Sequence, residues 1–181
     1  SLGWLFEAVR RERRRRAADQ GICALRDLMG DPRTGLFKRE PFDAHLERLA
    51  ADHHLSGRPM ALVMLRVCSA PGAREPAADI WKKGFTEIAS LAGRLMRDAD
   101  TGAALGGEFI AIAMPSATLT AAKRTAERIA SVAECTAFAS GEGGAGPLVF
   151  EQSAVELQPG ESGHGLLSRA LRALAVKAIP A

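Results

Sequence analysis

The sequence has no tyrosine, and aromatic residues make up only 5% of its 181 positions. None of these rings interleaves with the densest basic stretch, Arg10, Arg11, Arg13, Arg14, Arg15 and Arg16, so a stacking platform for single-stranded nucleic acid is not supported. Cysteine is scarce as well. Cys23, Cys68 and Cys135 stand far apart, which fits neither a disulfide framework nor a C-x-x-C metal site. Reduced, partly buried thiols are expected instead. His53 and His54 are adjacent, so their side chains diverge and no metal site is expected there. No apolar run approaches the roughly 18 residues of a membrane-spanning helix. The apolar start, Leu2 to Val9, runs into arginines and not into a cleavage site, so no signal peptide is expected.

What is present fits one folded unit. Apolar residues are 47% and charged residues 25%, the balance of a soluble globular chain long enough for one core plus an appendage. The net charge is a modest +3. The arginine cluster reads either as a solvated helix face or as a contact for an acidic partner or nucleic acid. The expected partners include neither nucleic acid nor membrane, and the expected location is the cytoplasm.

Apolar spacing predicts a helix over residues 2–29, ended by Gly30 and Pro32. A second helix covers 39–54, with Phe42, Leu46 and Leu49 on one face. Met60–Val67 is a short apolar run rich in strand formers. After a loop with Pro71, Gly72 and Pro76 comes a helix near 78–98, then a hairpin of Thr101–Leu105 and Phe109–Met114 around Gly106–Gly107. A helix over 118–133, two strands within 134–157 and a last helix over 164–178 complete the chain. Helices crossing between strands, with one embedded hairpin, indicate an α/β sandwich with a mixed β-sheet flanked by helices. Residues 1–30 are expected to be a helical linker and residues 31–181 the domain proper.

Several segments taken in order resemble a GGDEF domain, the fold that condenses two GTP molecules into cyclic di-GMP. Asp31–Arg39 resembles the D-x-L-T-G-L-x-N-R opening motif. Arg97-Asp-Ala-Asp100 precedes Gly106-Gly107-Glu108-Phe109 at the spacing of the R-x-x-D inhibitory motif and the signature hairpin. Ile110–Pro115 and Ala122–Ile129 continue the likeness, which spans residues 31–178. It implies the palm-like fold of nucleotide cyclases. It also implies an empty catalytic role. Cyclase chemistry needs Mg²⁺ held by carboxylates. The resemblance would place one acid in a segment like L-D-x-D-x-F-K, where this chain has Leu65-Arg66-Val67-Cys68-Ser69. Arg66 puts a fixed cation where the metal would sit, and Cys68 replaces the second acid. The signature Gly106-Gly107-Glu108-Phe109 is one acid short, Lys38 replaces the opening-motif asparagine, and Leu171 stands in an altered A-D pattern. No catalytic residue and no Mg²⁺ or other cofactor is expected, and Arg66 is expected to pair with Glu108.

The inhibitory site of the resembled family binds cyclic di-GMP through arginine and aspartate. Arginine offers a planar donor fork to phosphate or guanine, and aspartate accepts guanine N–H groups. The resemblance assigns these roles to Arg97 and Asp100, with Arg128 as helper and Arg94 and Arg124 as further candidates. Arg16-Ala-Ala-Asp19 also reads R-x-x-D, but lies at the wrong distance from the hairpin. A stacked pair of ligands could link two copies of the chain, Arg128 coming from the second. The implied role is a receptor that signals to a protein partner, as where receiver domains precede a GGDEF domain without activity. The other readings are a docking scaffold without ligand and a GTP sensor holding phosphates with Lys38 and Arg66.

Overall fold

The computed structural model describes residues 7–16, 34–136 and 147–177. Residues 7–16 form a helix, α1, whose side chains are all exposed. The arginine cluster therefore lies on a solvated helix, with Glu7–Arg11 and Glu12–Arg16 paired one turn apart. The rest of the expected linker helix, and Asp31–Arg33 of the opening motif, lie outside the described residues.

The domain runs α2 (Arg39–Ser56), β1 (Met60–Ser69), α3 (Ala78–Leu95), β2 (Thr101–Ala104), β3 (Phe109–Pro115), α4 (Leu119–Glu134), β4 (Leu148–Glu156) and α5 (Gly163–Lys177). The four strands lie in the order β2-β3-β1-β4. All pairings between these strands are antiparallel, and the parallel component is one bridge, Phe37 to Ala103. A single strand, Leu148–Glu156, accounts for the described part of the 134–157 segment, where two were expected.

β1 is central, so both of its faces are covered, and this is why it reads as an unbroken apolar run. Ala61, Val63, Leu65 and Val67 join Ile110, Ile112 and Met114 under α3 and α4. Met60, Leu62 and Met64 join Ala111 and Ala113 under α2 and α5. The period of two thus feeds two cores. Arg66 follows in the second series, at the point where the strand leaves the core. The two helices of this second layer are tied together at one end by Glu47 of α2, whose carboxylate accepts from the backbone N–H groups of Gly163 (3.1 Å) and His164 (2.6 Å) at the start of α5.

Two local stops shape the sites. α3 ends at Leu95, three residues before the expected end, because Met96 turns extended. Arg97–Asp100 therefore form a turn and not the last face of a helix. In the β2–β3 connection Gly106 (φ 93°) and Gly107 (φ 62°) both adopt the left-handed backbone that glycine alone reaches freely.

Candidate functional site

The end of β1 carries the first site. Arg66 lies opposite Phe109 of β3 and opposite Glu151 of β4. Its Nε donates to Glu108 Oε1 at 2.9 Å, and its Nη1 donates to Glu151 Oε2 at 3.2 Å. The guanidinium carbon stands 5.9 Å from the Phe109 ring centroid. The expected Arg66–Glu108 pair is present, and a second carboxylate from the far strand joins it. Its hydrogen bond to the Glu108 carboxylate raises the Arg66 pKa above its already high ordinary value, so this cation is permanent. Burial, then the charge of Glu151, push the Cys68 thiol up, which keeps it protonated and unreactive.

Arg66, Cys68, Glu108 and Phe109 line a cleft of about 910 Å³ together with Arg39, Trp81, Gly106 and Gly107. Lys38 is elsewhere. It lines a separate hollow of about 360 Å³ beside α3. The phosphate grip expected from Lys38 and Arg66 together is thus not assembled in one cavity, and Arg66 is already balanced by two carboxylates. Among the described residues no group of three or more His, Cys, Asp or Glu side chains could hold a metal ion.

The second site is the turn after α3. Asp100 accepts from the Arg97 backbone N–H (2.9 Å), from Arg97 Nε (3.1 and 3.2 Å) and from Arg97 Nη2 (2.7 Å). The Asp100 side chain is 0% exposed, whereas that of Arg97 is 48% exposed. This corrects the expected role of Asp100. Its carboxylate is buried beneath Arg97 and is not open to guanine N–H donors. It fixes Arg97 in place, aided by the Pro115 carbonyl, which accepts from Nη2 at 3.0 Å.

Arg128 of α4 donates to the Leu95 carbonyl at 2.7 Å, which brings it to the same end of α3 within one chain. Arg94 lies in the last turn of α3, and Arg124 lies one turn before Arg128 on α4. Both are exposed and form no ion pair among the described residues. The sequence-derived set of four arginines therefore borders one corner of the domain.

The roles of two residues escaped the sequence reading. Glu151 could be found only through the β1–β4 register. His53 is buried, donates from Nδ1 to the Leu49 carbonyl (2.7 Å), and accepts at Nε2 from the Ser116 backbone N–H (3.1 Å). Ser116 has φ 53°, unusual for a residue with a side chain, and directly follows Pro115. His53 thus holds the turn whose carbonyl orients Arg97. Its only sequence signal is its place in the helical series Phe42, Leu46, Leu49, His53.

No family model matches the chain, and no curated protein matches it. Solved structures do. The chain is 26% identical to the GGDEF domain of DgcB from Caulobacter crescentus, solved in complex with c-di-GMP, with a TM-score of 0.65 over 81% of this chain and 85% of that one. It is 24% identical to the diguanylate cyclase SiaD from Pseudomonas aeruginosa, solved with its activator SiaC, with a TM-score of 0.68 over 97% and 71% of the two chains. The GGDEF domain of YfiN, also from Pseudomonas aeruginosa, matches at 19% identity and a TM-score of 0.67 over 79% and 90%. Helices on both faces of an antiparallel sheet, a glycine-paired hairpin and these likenesses together give this chain the GGDEF-domain fold.

Proposed function

We propose that this chain is a GGDEF-fold domain without cyclase activity that binds cyclic di-GMP on its arginine corner and signals to a protein partner. The observation that carries the reading is the Arg97 guanidinium, oriented by a wholly buried Asp100, half exposed, and set at the same helix end as Arg128. A guanidinium held in advance in this way keeps its Nη1 donors for phosphate or the guanine edge, since Nε and Nη2 bond Asp100 and Pro115, and it offers them with little ordering cost. Arg94 and Arg124 extend the same positive surface toward a doubly charged ligand. The likeness to the DgcB domain solved with c-di-GMP supports the choice of ligand.

The missing activity rests on charge. Arg66 occupies the space between Glu108 and Glu151, so a divalent cation there would meet a guanidinium within a few ångströms. The carboxylates that could have held Mg²⁺ are already neutralised in part by this internal cation.

Charge-assisted hydrogen bonds contribute about 1.5–3 kcal/mol each. Three or four of them reach about −8 kcal/mol, a micromolar dissociation constant. Calorimetric titration with cyclic di-GMP tests the reading, with Arg97→Ala alongside. Micromolar binding weakened about tenfold or more by the substitution is the expected result. No heat with the unaltered chain would end it, and partner recruitment untouched by Arg97→Ala would favour a docking scaffold instead.

A further inference from the structure

The smaller hollow has a chemistry of its own. Leu36, Phe37, Trp81, Phe85, Ala89 and Ala104 make its interior apolar, and Leu36, Phe37 and Ala89 are almost fully buried. Trp81 and Phe85, one turn apart on α3, both line it, with ring centroids 6.3 Å apart and planes 22° from parallel, so one wall is aromatic. The polar lining is Lys38 and Lys82 with the hydroxyls of Thr34 and Thr86. Among the described residues neither lysine forms an ion pair, and those that line the hollow include no Asp, Glu, Asn or Gln.

This combination selects for charge and shape. An apolar slot with a few convergent polar groups is the usual form of a small-molecule site, and about 360 Å³ falls within the range of such sites. A cavity near 150 Å³ accepts benzene, so this one has room for about two fused rings and a head group. Two unpaired ammonium groups at its edge favour an anionic head. Guanine fits less well, because the charged groups of the lining are both donors, its N–H groups would find only the Thr34 and Thr86 hydroxyls as side-chain acceptors, and the Gly107 carbonyl already accepts from Trp81 Nε1 at 3.4 Å. We infer that this hollow binds a flat aromatic acid, its rings against Trp81 and Phe85 and its anion between Lys38 and Lys82. The inference is independent of cyclic di-GMP binding at the arginine corner. Because Gly107 also lines the larger cleft, an occupant would press on the hairpin through the Trp81–Gly107 hydrogen bond.

The indole N–H signal of Trp81 in a ¹H–¹⁵N spectrum, assigned by its loss in Trp81→Phe, provides the test. The probes are 2-naphthoate, its neutral amide 2-naphthamide, and 2-naphthyl phosphate. The expected result is a saturable shift with 2-naphthoate, and binding weaker by about tenfold or more for the amide and for Lys38→Glu or Lys82→Glu. A stronger phosphate than carboxylate arm would make the natural ligand an aryl phosphate of the same charge-plus-ring class, which still supports the site. No shift at millimolar probe, or equal binding of acid and amide, overturns the inference. Arg97→Ala is expected to leave the shift unchanged; its loss in that variant would place the probe at the other corner and also overturn the inference.

Discussion

Arg66 shows how one side chain changes what a site can hold. In the folded chain it satisfies Glu108 and Glu151 at once, across two strand pairings. Arg66→Ala leaves two carboxylates facing each other without a cation, and a loss of about 1–3 kcal/mol is expected. Thermal melting should show the loss, and millimolar Mg²⁺ or Mn²⁺ should restore part of it in the variant while leaving the unaltered chain unmoved. An unchanged melting temperature would remove the stabilising role assigned to this trio. His45 is a residue-scale liability of another kind. Burial, then the charge of Arg48, lower its pKa from the ordinary 6.5, against the smaller opposing pull of Asp52. Its Nε2 has no hydrogen-bond partner, and its ring packs tilted against Phe37. The unfolded chain therefore takes up a proton near pH 6.5 that the folded chain resists. Stability is fully present above that value and is lost as pH falls through it toward the lowered folded pKa. His45→Phe should flatten the decline in melting temperature between about pH 7 and 5, and an unaltered slope would assign the decline to other groups.

At the scale of elements, the arginine corner depends on α2 as well as on α3 and α4. The path runs from His53 to Ser116, along the chain to Pro115, and by hydrogen bond to Arg97. His53→Leu leaves the Ser116 N–H without its acceptor while that residue still holds a left-handed backbone. A loss of about 1–3 kcal/mol is expected, together with weaker cyclic di-GMP binding than the stability loss alone explains. His53→Gln, which offers an acceptor at a similar reach, should recover part of both. Equal affinity in all three forms at a temperature where all are folded would show that α2 does not orient Arg97. The element boundaries follow local rules: Thr118 caps α4 by accepting from the Ala121 N–H, and Gly57 closes α2 in the left-handed conformation with its N–H on the His53 carbonyl. These signals are local, and residue types alone place the ends of α2 and α4 within two residues. The early end of α3 was not legible, since Met96, Arg97 and Asp98 are acceptable helix residues and it is the buried Asp100 grip that pulls them into a turn.

For the whole molecule, the proposed receptor makes no product, and GTP with Mg²⁺ or Mn²⁺ should yield no detectable cyclic di-GMP; measurable turnover would refute the proposal. Local pattern carried much of this fold. The run Met60–Val67, the helical stripes and the glycine pair each encode their geometry within about a dozen residues, through side-chain period and backbone freedom. The pairing of Arg66 with Glu108 was legible from the neighbouring strands that carry them, whereas the roles of Arg66 and of the corner arginines came from the resemblance to the GGDEF motifs. Tertiary structure alone decided that Glu151, 85 positions from Arg66, completes its ion pairing, that Asp100 lies beneath Arg97, and that Lys38 and Arg66 face different cavities. Strand register and helix docking are set by burying all the apolar faces together, and no short segment contains the information for that choice.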